Sequence, residues 1–307
     1  MLQAVYFLML PNVLSLDVSG PAETLRLAGQ FSLHYISPLP QITCSIGMTL
    51  SQLLPLPERL EDGAILVVPG VGDSQRFFAN EPAEQARHWL ATLQPDLQRQ
   101  RITLVCVCSG ALLAAQAGLL DNHQCTTHHD VIERLRQQAP SALVKENRIF
   151  VEDRSLYTSA GITAGIDLAL HLISRQCGAT RAMEIAREMV VYFRRSGDDP
   201  QLSPWLRYRN HLHPAVHRAQ DVMAAEPEAE WSVPQVAEKA HVSSRHLARL
   251  FRSHIGISVR EYHEQLRLAV AQQRLQQGYG LEKAALAAGF SSGRQLRRAQ
   301  QRGATLL

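Results

Sequence analysis

The sequence predicts an α/β domain with a mainly parallel sheet, followed by an all-α domain of two helix-turn-helix repeats. Three observations carry that prediction. Short apolar runs of the kind that form buried strands alternate with helical patterns over residues 1–195. Within residues 231–307 a helix–turn–helix pattern occurs twice, with its turns at His241-Val242-Ser243 and at Gly289-Phe290-Ser291. The charge is uneven: residues 1–195 carry 16 Lys and Arg against 18 Asp and Glu, whereas residues 233–307 carry 12 against 4. Strands alternating with helices favour a parallel sheet covered on both faces. A basic tail behind a near-neutral front assigns contact with a polyanion to the tail.

The bulk properties exclude several classes. A chain of 307 residues, 46% apolar and 19% charged, has the balance of an ordinary globular protein with room for two domains. No uninterrupted apolar segment approaches the roughly 18 to 20 residues of a membrane helix. The first residues lack a basic flank and a small-residue cleavage site, so they read as a first strand and the expected location is the cytoplasm. Five cysteines, Cys44, Cys106, Cys108, Cys125 and Cys177, form no dense disulfide framework.

Taken in order, Ala4 to Leu10 reads as a strand and Pro11 to Ser19 as a loop. Gly20-Pro21 opens a helix carrying Glu23, because proline suits an early helical position. Leu33 to Ile36, Ile42 to Leu50 and Ala64 to Val68 follow as strands, the last ending in Pro69-Gly70-Val71-Gly72, and a helix runs from Glu81 to about Leu97. Ile102 to Val107 is a buried strand, followed directly by Cys108, Ser109, Gly110 and an alanine-rich helix. A strand turning sharply into a helix lifts one side chain to the carboxyl end of the sheet, where α/β proteins hold small molecules. The chemistry suggested by Cys108 alone is a poised thiol.

Further along, Gln124 to Thr127 reads as a strand and Asp130 to Gln138 as a helix. Leu143 to Glu146 and Ile149 to Glu152 form an expected hairpin about Asn147-Arg148. Helices over Thr163 to Cys177 and Thr180 to Tyr192 close the first domain, and the turn-rich stretch Arg194 to Pro204 marks the boundary. The expected division is residues 1–195, a linker and connecting helix over 196–230, and a DNA-binding domain over 231–307. The connecting helix, His211 to Ala225, places Leu212, Val216, Ala219 and Met223 on one face.

In the first tail repeat, Leu247, Leu250 and Phe251 fall on one helical face, which turns Arg245, Arg249 and Arg252 outward beside Ser244. In the second, Leu296 is inward and Arg294, Arg297 and Arg298 face out. Arginine forks match guanine edges and phosphates. Two such units joined by one helix, Val259 to Gln277, fit successive major-groove segments of double-stranded DNA.

The tail resembles the AraC/XylS family of bacterial regulators through SxRHLxRLFRxxxGxSxxEY (Ser243 to Tyr262), RLxxAxxxL (Arg267 to Leu275) and AxxAGFSSxRQLRR (Ala284 to Arg298). The front resembles the class I glutamine-amidotransferase-like superfamily, which includes the deglycase/intracellular-protease proteins and isocyanide hydratase. The matching pieces are Asp17 to Glu23, Val67 to Gly70, Val107 to Ala111, Ala117 to Asp121 and Thr126 to His128. The combination is similar to the GlxA-type regulators of the AraC family. It implies a flavodoxin-like sensor domain, a ligand-controlled DNA-binding regulator, and an operator or promoter as partner. It also implies a small effector such as an amine or amino-acid derivative, a homodimer, and RNA polymerase as a contact if the protein activates.

In catalytic relatives the cysteine at the Cys108 position is a nucleophile, a carboxylate tunes it and a histidine assists. The resemblance therefore makes Asp17, Glu23, Gly70, Cys108, Ser109 and His128 the candidate ligand residues, with amides near Gly70 and Ser109 as an anion nest. A cysteine-dependent hydratase or hydrolase with a DNA-binding tail is the rival reading, weaker because turnover would destroy a signal. No catalytic role, cofactor or metal is expected; His211, His213 and His217 have no acidic or cysteine partner at ligand spacing, and His128-His129 is an equally weak metal candidate. Gln300 stands where the family places an aromatic residue, so the second unit is expected to be less stable or to read DNA loosely.

Overall fold

The computed structural model describes residues 2–191, 195–197, 201, 208–209, 211–276 and 278–304. The chain forms two compact units, Met1–Gln201 and Leu202–Leu307.

The first unit opens with β1 (Gln3–Leu8), α1 (Ser15–Ala28), β2 (Phe31–Ile36), β3 (Gln41–Thr43), β4 (Thr49–Ser51) and β5 (Ile65–Val68). It continues through α2 (Ser74–Phe77), α3 (Glu81–Thr92), α4 (Gln94–Gln98), β6 (Thr103–Val107), α5 (Gly110–Gln116), β7 (Gln124–Cys125) and α6 (Ile132–Gln138). It closes with β8 (Leu143–Val144), β9 (Phe150–Asp153), β10 (Leu156–Ser159), α7 (Ala164–Cys177) and α8 (Ala179–Glu188). The main sheet has the order β2-β1-β5-β6-β10-β9, parallel throughout except that β9 runs antiparallel to β10 at the edge. Every residue of β5 is buried, as a strand covered on both faces requires. Each face carries its own core. One holds Leu8, Leu66, Leu104 and Cys106 against α3 and α5; the other holds Phe7, Val67, Val107 and Cys108 against α1 and α7.

Three sequence expectations change. The first helix starts at Ser15, so Pro21 lies inside it and is not an opening signal. The Ile42–Leu50 stretch is the antiparallel pair β3–β4, turned about Gly47 at φ 82°. Asn147-Arg148 is not a hairpin turn: β8 pairs with β7, and β9 turns through Arg154 onto β10. The mixed, wholly buried segment Leu-Tyr-Thr-Ser of β10 has no alternation to announce it as a strand.

The second unit contains α9 (Pro214–Ala225), α10 (Val233–Lys239), α11 (Ser244–Ile255), α12 (Val259–Gln276), α13 (Leu281–Ala287) and α14 (Gly293–Ala304). The connecting helix α9 belongs to this unit's core, where Val216, Ala219 and Met223 join Val236, Leu247, Phe251 and Tyr262. Leu212 lies outside it at 95% exposure, because the helix begins two residues later at Pro214. The second repeat closes on a smaller cluster, Ala271, Ala285, Ala288, Phe290, Leu296 and Ala299. Among the described residues, no helix is long and apolar enough to cross a membrane.

Candidate functional site

The elbow is built by backbone constraints at the carboxyl ends of β5, β6 and β10. Cys108 follows β6 in the left-handed region, φ 56°, and its amide donates to Ser159 O at 3.0 Å, extending the β6–β10 pairing by one residue. The helix then starts against the neighbouring strand: a Cβ on Gly110 would lie 2.0 Å from Val68 O, so only glycine fits.

Four of the sequence-predicted residues meet here. Asp17, fully buried in the first turn of α1, accepts from Ile162 N at 2.7 Å on Oδ1 and from Gly70 N at 3.1 Å on Oδ2. The Cys108 thiol lies beside the same carboxylate and helps to lower its pKa. Ser109 Oγ accepts from Val71 N at 3.0 Å and donates to Val71 O at 3.2 Å, which fixes the loop after β5. Burial pushes the Asp17 carboxyl up to about 6, against the lowering effect of Ile162, Gly70 and Cys108. Burial, then the charge of Asp17, push the Cys108 thiol far above its ordinary range, and the Ser109 amide offsets only part of this.

Burial and the Asp17 charge thus shift the Cys108 thiol in the direction opposite to the poised thiolate expected from sequence. Desolvation beside a carboxylate outweighs the start of a two-turn helix. The amides of Gly70 and Ser109 already serve Asp17 and Cys108. Glu23 is not among the converging groups: six residues after Asp17 it is rotated about 120° around the helix, onto the exposed face, where it pairs with Arg26 at 2.6 Å. His128 is half-buried nearby, its ring tilted 36° against that of His129 at 4.2 Å between centroids. Burial, then His129, hold its pKa below the ordinary value. His128, His129 and Asp130 bring one ligand atom each within 4.8 Å, a spacing no other trio of described His, Cys, Asp or Glu reaches, but His129 and Asp130 are exposed.

Two residues that sequence reasoning missed tie the elbow together. Thr127 Oγ1 donates to Cys108 O at 2.8 Å. Gln201, buried at the end of the unit, places Nε2 2.7 Å from Thr127 O and 2.9 Å from Arg148 O. A lone glutamine in a turn-rich stretch gives no sequence signal for this.

In the second unit, Ser243 caps α11 by accepting from His246 N at 3.2 Å. Leu247, Leu250 and Phe251 are buried, Arg245 and Arg249 project to solvent, and Ser244 is partly exposed. Arg249 Nη2 lies 3.1 Å from His246 Nδ1. Arg252 differs from its neighbours: it donates to Gly256 O at 3.2 Å and pairs with Glu261 at 3.3 Å, so it secures the end of its own helix. On α14, Leu296 and Ala299 are buried while Arg294, Arg297 and Arg298 are exposed. Gly293 N donates to Glu282 Oε2 at 2.8 Å, fixing that helix to α13.

Comparison with known proteins agrees with this arrangement. Residues 3–175 match the DJ-1/PfpI family and residues 236–304 match a helix-turn-helix domain. The chain is 31% identical to the HTH-type transcriptional regulator GbdR of Pseudomonas aeruginosa, over 90% of this chain and 74% of that protein. It is 30% identical to an isonitrile hydratase of Pseudomonas putida, over 60% of this chain and 76% of the enzyme. A crystal structure of an AraC family transcriptional regulator from Pseudomonas putida shares the fold, with a TM-score of 0.52 at 21% identity over 61% of this chain and 99% of that one. The chain thus belongs to the DJ-1/PfpI family, in its branch of HTH-type transcriptional regulators of the AraC/XylS class, where the α/β fold precedes a double helix-turn-helix DNA-binding domain.

Proposed function

We propose that the α/β unit is a reversible sensor and that a small metabolite bound to it changes how the two arginine helices engage operator DNA. The observation that carries this reading is the burial of Cys108 beside the buried Asp17 carboxylate, which raises its thiol, in the same chain as two exposed arginine faces. A nucleophile must present a thiolate at neutral pH, and this elbow opposes one. Asp17, Gly70, Cys108 and Ser109 then act as a rigid floor of the sensor, with His128 at its rim. The effector class suggested by family resemblance is an amine or amino-acid derivative.

Arg245, Arg249, Arg294, Arg297 and Arg298 are the proposed base and phosphate contacts, with Ser244 beside them; Arg252 contributes through the helix it secures. A homodimer on a repeated site fits two readers per chain, and an activator would also touch RNA polymerase. The test is selection of bound genomic fragments by the full chain, followed by Arg249→Ala and Arg297→Ala. Loss of about 1 to 3 kcal/mol for the selected sequence supports base reading; unchanged affinity and preference overturn it. Measurable turnover of an isonitrile that disappears in Cys108→Ala, with regulation intact, would favour the enzymatic alternative.

A further inference from the structure

In the second unit, the loop between α9 and α10 is gripped by the helix that joins the two readers. Arg267 of α12 donates from Nε to Pro227 O at 3.2 Å, and from Nη2 to Glu228 O at 3.2 Å and Ala229 O at 2.7 Å. Buried His263, one turn earlier, places Nε2 2.8 Å from Pro227 O. The far end of the loop is fixed in the first reader. Ser232 and Gln235 close a capping box on α10, and Trp231 packs against the core that α10, α11 and α12 share.

The second reader meets the same loop. Gly289, in the turn between α13 and α14, has φ 80°, and a Cβ there would lie 2.2 Å from Glu228 O. Glycine lets that turn approach the carbonyl that Arg267 also holds. Phe290, the next residue, joins Leu296 of α14 and Ala271 of α12 in one cluster, so the position of the turn is passed on to the arginine helix.

The covalent route between the readers specifies their relation less firmly. The 18 residues of α12 span about 27 Å. The chain then passes through Gly278-Tyr279-Gly280, where a Cβ on either glycine would meet nothing within 4 Å. Four of the six buried residues of the second repeat's cluster are alanines, whose short side chains interlock little. A planar guanidinium fork on successive carbonyls is directional where such packing is not.

We propose that Arg267 and Gly289, acting through the Pro227–Ala229 carbonyls, hold α11 and α14 at a set separation and so make the protein select DNA by the spacing between its two contact sites. Arg267 is a positioning residue in this role, with Nε and Nη2 engaged by the loop. The inference rests on the reading that both arginine faces contact one stretch of DNA. A base pair added between two contact sites moves one of them by about 3.4 Å and turns it by about 34° around the duplex. A fixed pair of readers follows that change only by deforming the DNA.

The test uses the full chain and a genomic fragment it selects, footprinted to locate both contact sites, in a series with one or two base pairs added or removed between them. The wild type loses about tenfold or more in affinity one base pair from its optimum. Arg267→Met keeps helix propensity but removes the fork, and Gly289→Ala forces the turn off Glu228 O from the other side. Each reduces the discrimination between spacings to about threefold or less. Arg267→Lys, which returns one donor, falls between them and the wild type, and decides the matter if neither of the others folds. A merely structural role lowers affinity by one factor at every spacing, and that result overturns the proposal, as does unchanged discrimination in the variants that fold. If the wild type ignores spacing while Arg249→Ala and Arg297→Ala weaken binding, only the positioning role fails; if those two variants also change nothing, the reading of the arginine faces fails with it.

Discussion

Gly161 lies against Cys108 so closely that a Cβ built on it would stand 2.0 Å from the Cys108 Cβ and 2.7 Å from its Sγ. Gly161 also has φ 82°, a conformation that L side chains rarely adopt. The contact is backbone-close, so it cannot be relieved by a rotamer change. Gly161→Ala is expected to destabilise the first unit by about 3 kcal/mol or more, from steric overlap and left-handed strain together, read as a lower urea midpoint. Cys108→Ala should not rescue it, because the nearest atom is a Cβ that alanine keeps. Cys108→Gly should recover part of the loss; an equal recovery by Cys108→Ala would contradict the geometry.

Cys108 is expected to be unreactive in the folded protein. Burial beside the Asp17 carboxylate holds it as a thiol well above the pH of the cell, and only the thiolate attacks an alkylating agent. Iodoacetamide at pH 7.5 should label Cys108 in urea at the rate of a free cysteine and label it far more slowly in buffer, followed by peptide mass spectrometry. Labelling in buffer as fast as in urea would mean that the elbow opens or that the thiol is activated.

Much of this domain was legible in the sequence, and the failures have physical causes. Continuous apolar runs such as Ile65–Val68 and the abrupt Val107-Cys108 junction mark the parallel core and its elbow without ambiguity. Asp17 and Glu23 look equivalent as neighbouring acids, but helix phase separates them, and the phase became known only with the true start at Ser15. The β9–β10 turn passes through Arg154 at φ 59°, where no glycine or asparagine announces it. The arginine faces of α11 and α14 were legible because helical period alone fixes them. The engagement of Arg252 with Gly256 and Glu261 was not, since it depends on the angle between α11 and α12. A cavity beside β9 brings together Gln124, Phe150, His171 and Gly197 from four separate stretches of the first unit, and no local pattern predicts such a meeting.

Asp17 should leave a signature in the pH dependence of stability. Its carboxyl rises from 3.8 to about 6 on folding, mainly through burial. Between those two values the folded state binds more protons than the unfolded state, so stability falls as pH rises through this window and stays reduced above it. Relative to Asp17→Asn, which cannot titrate, the wild-type first unit should lose on the order of 2 to 3 kcal/mol between pH 4 and pH 6.5. Urea melts of both proteins across that range measure the difference. A constant difference would show that Asp17 is already ionised at pH 4.

The second unit should show the opposite slope. His211 at the entrance to α9 is held below the ordinary imidazole value of 6.5, first by burial and then, against the raising effect of Gln220, by His217, His254 and His213. Its ring lies 4.4 Å from that of His217 and 6.0 Å from that of His254, between centroids, a grouping that joins the start of α9 to the end of α11. His263 is lowered too, first by burial and then by Arg267, while its Nε2 lies 2.8 Å from Pro227 O. For both residues the unfolded chain takes up protons more readily than the folded unit. Their contribution is therefore complete above about pH 6.5 and is lost as pH falls from there toward the lower folded-state values. The urea midpoint of the second unit should drop between pH 7 and pH 5, and DNA binding should fail over the same interval as α11 loses its support. His211→Gln with His263→Gln should flatten that slope. An unchanged slope in the double variant would mean that other groups carry the acid sensitivity.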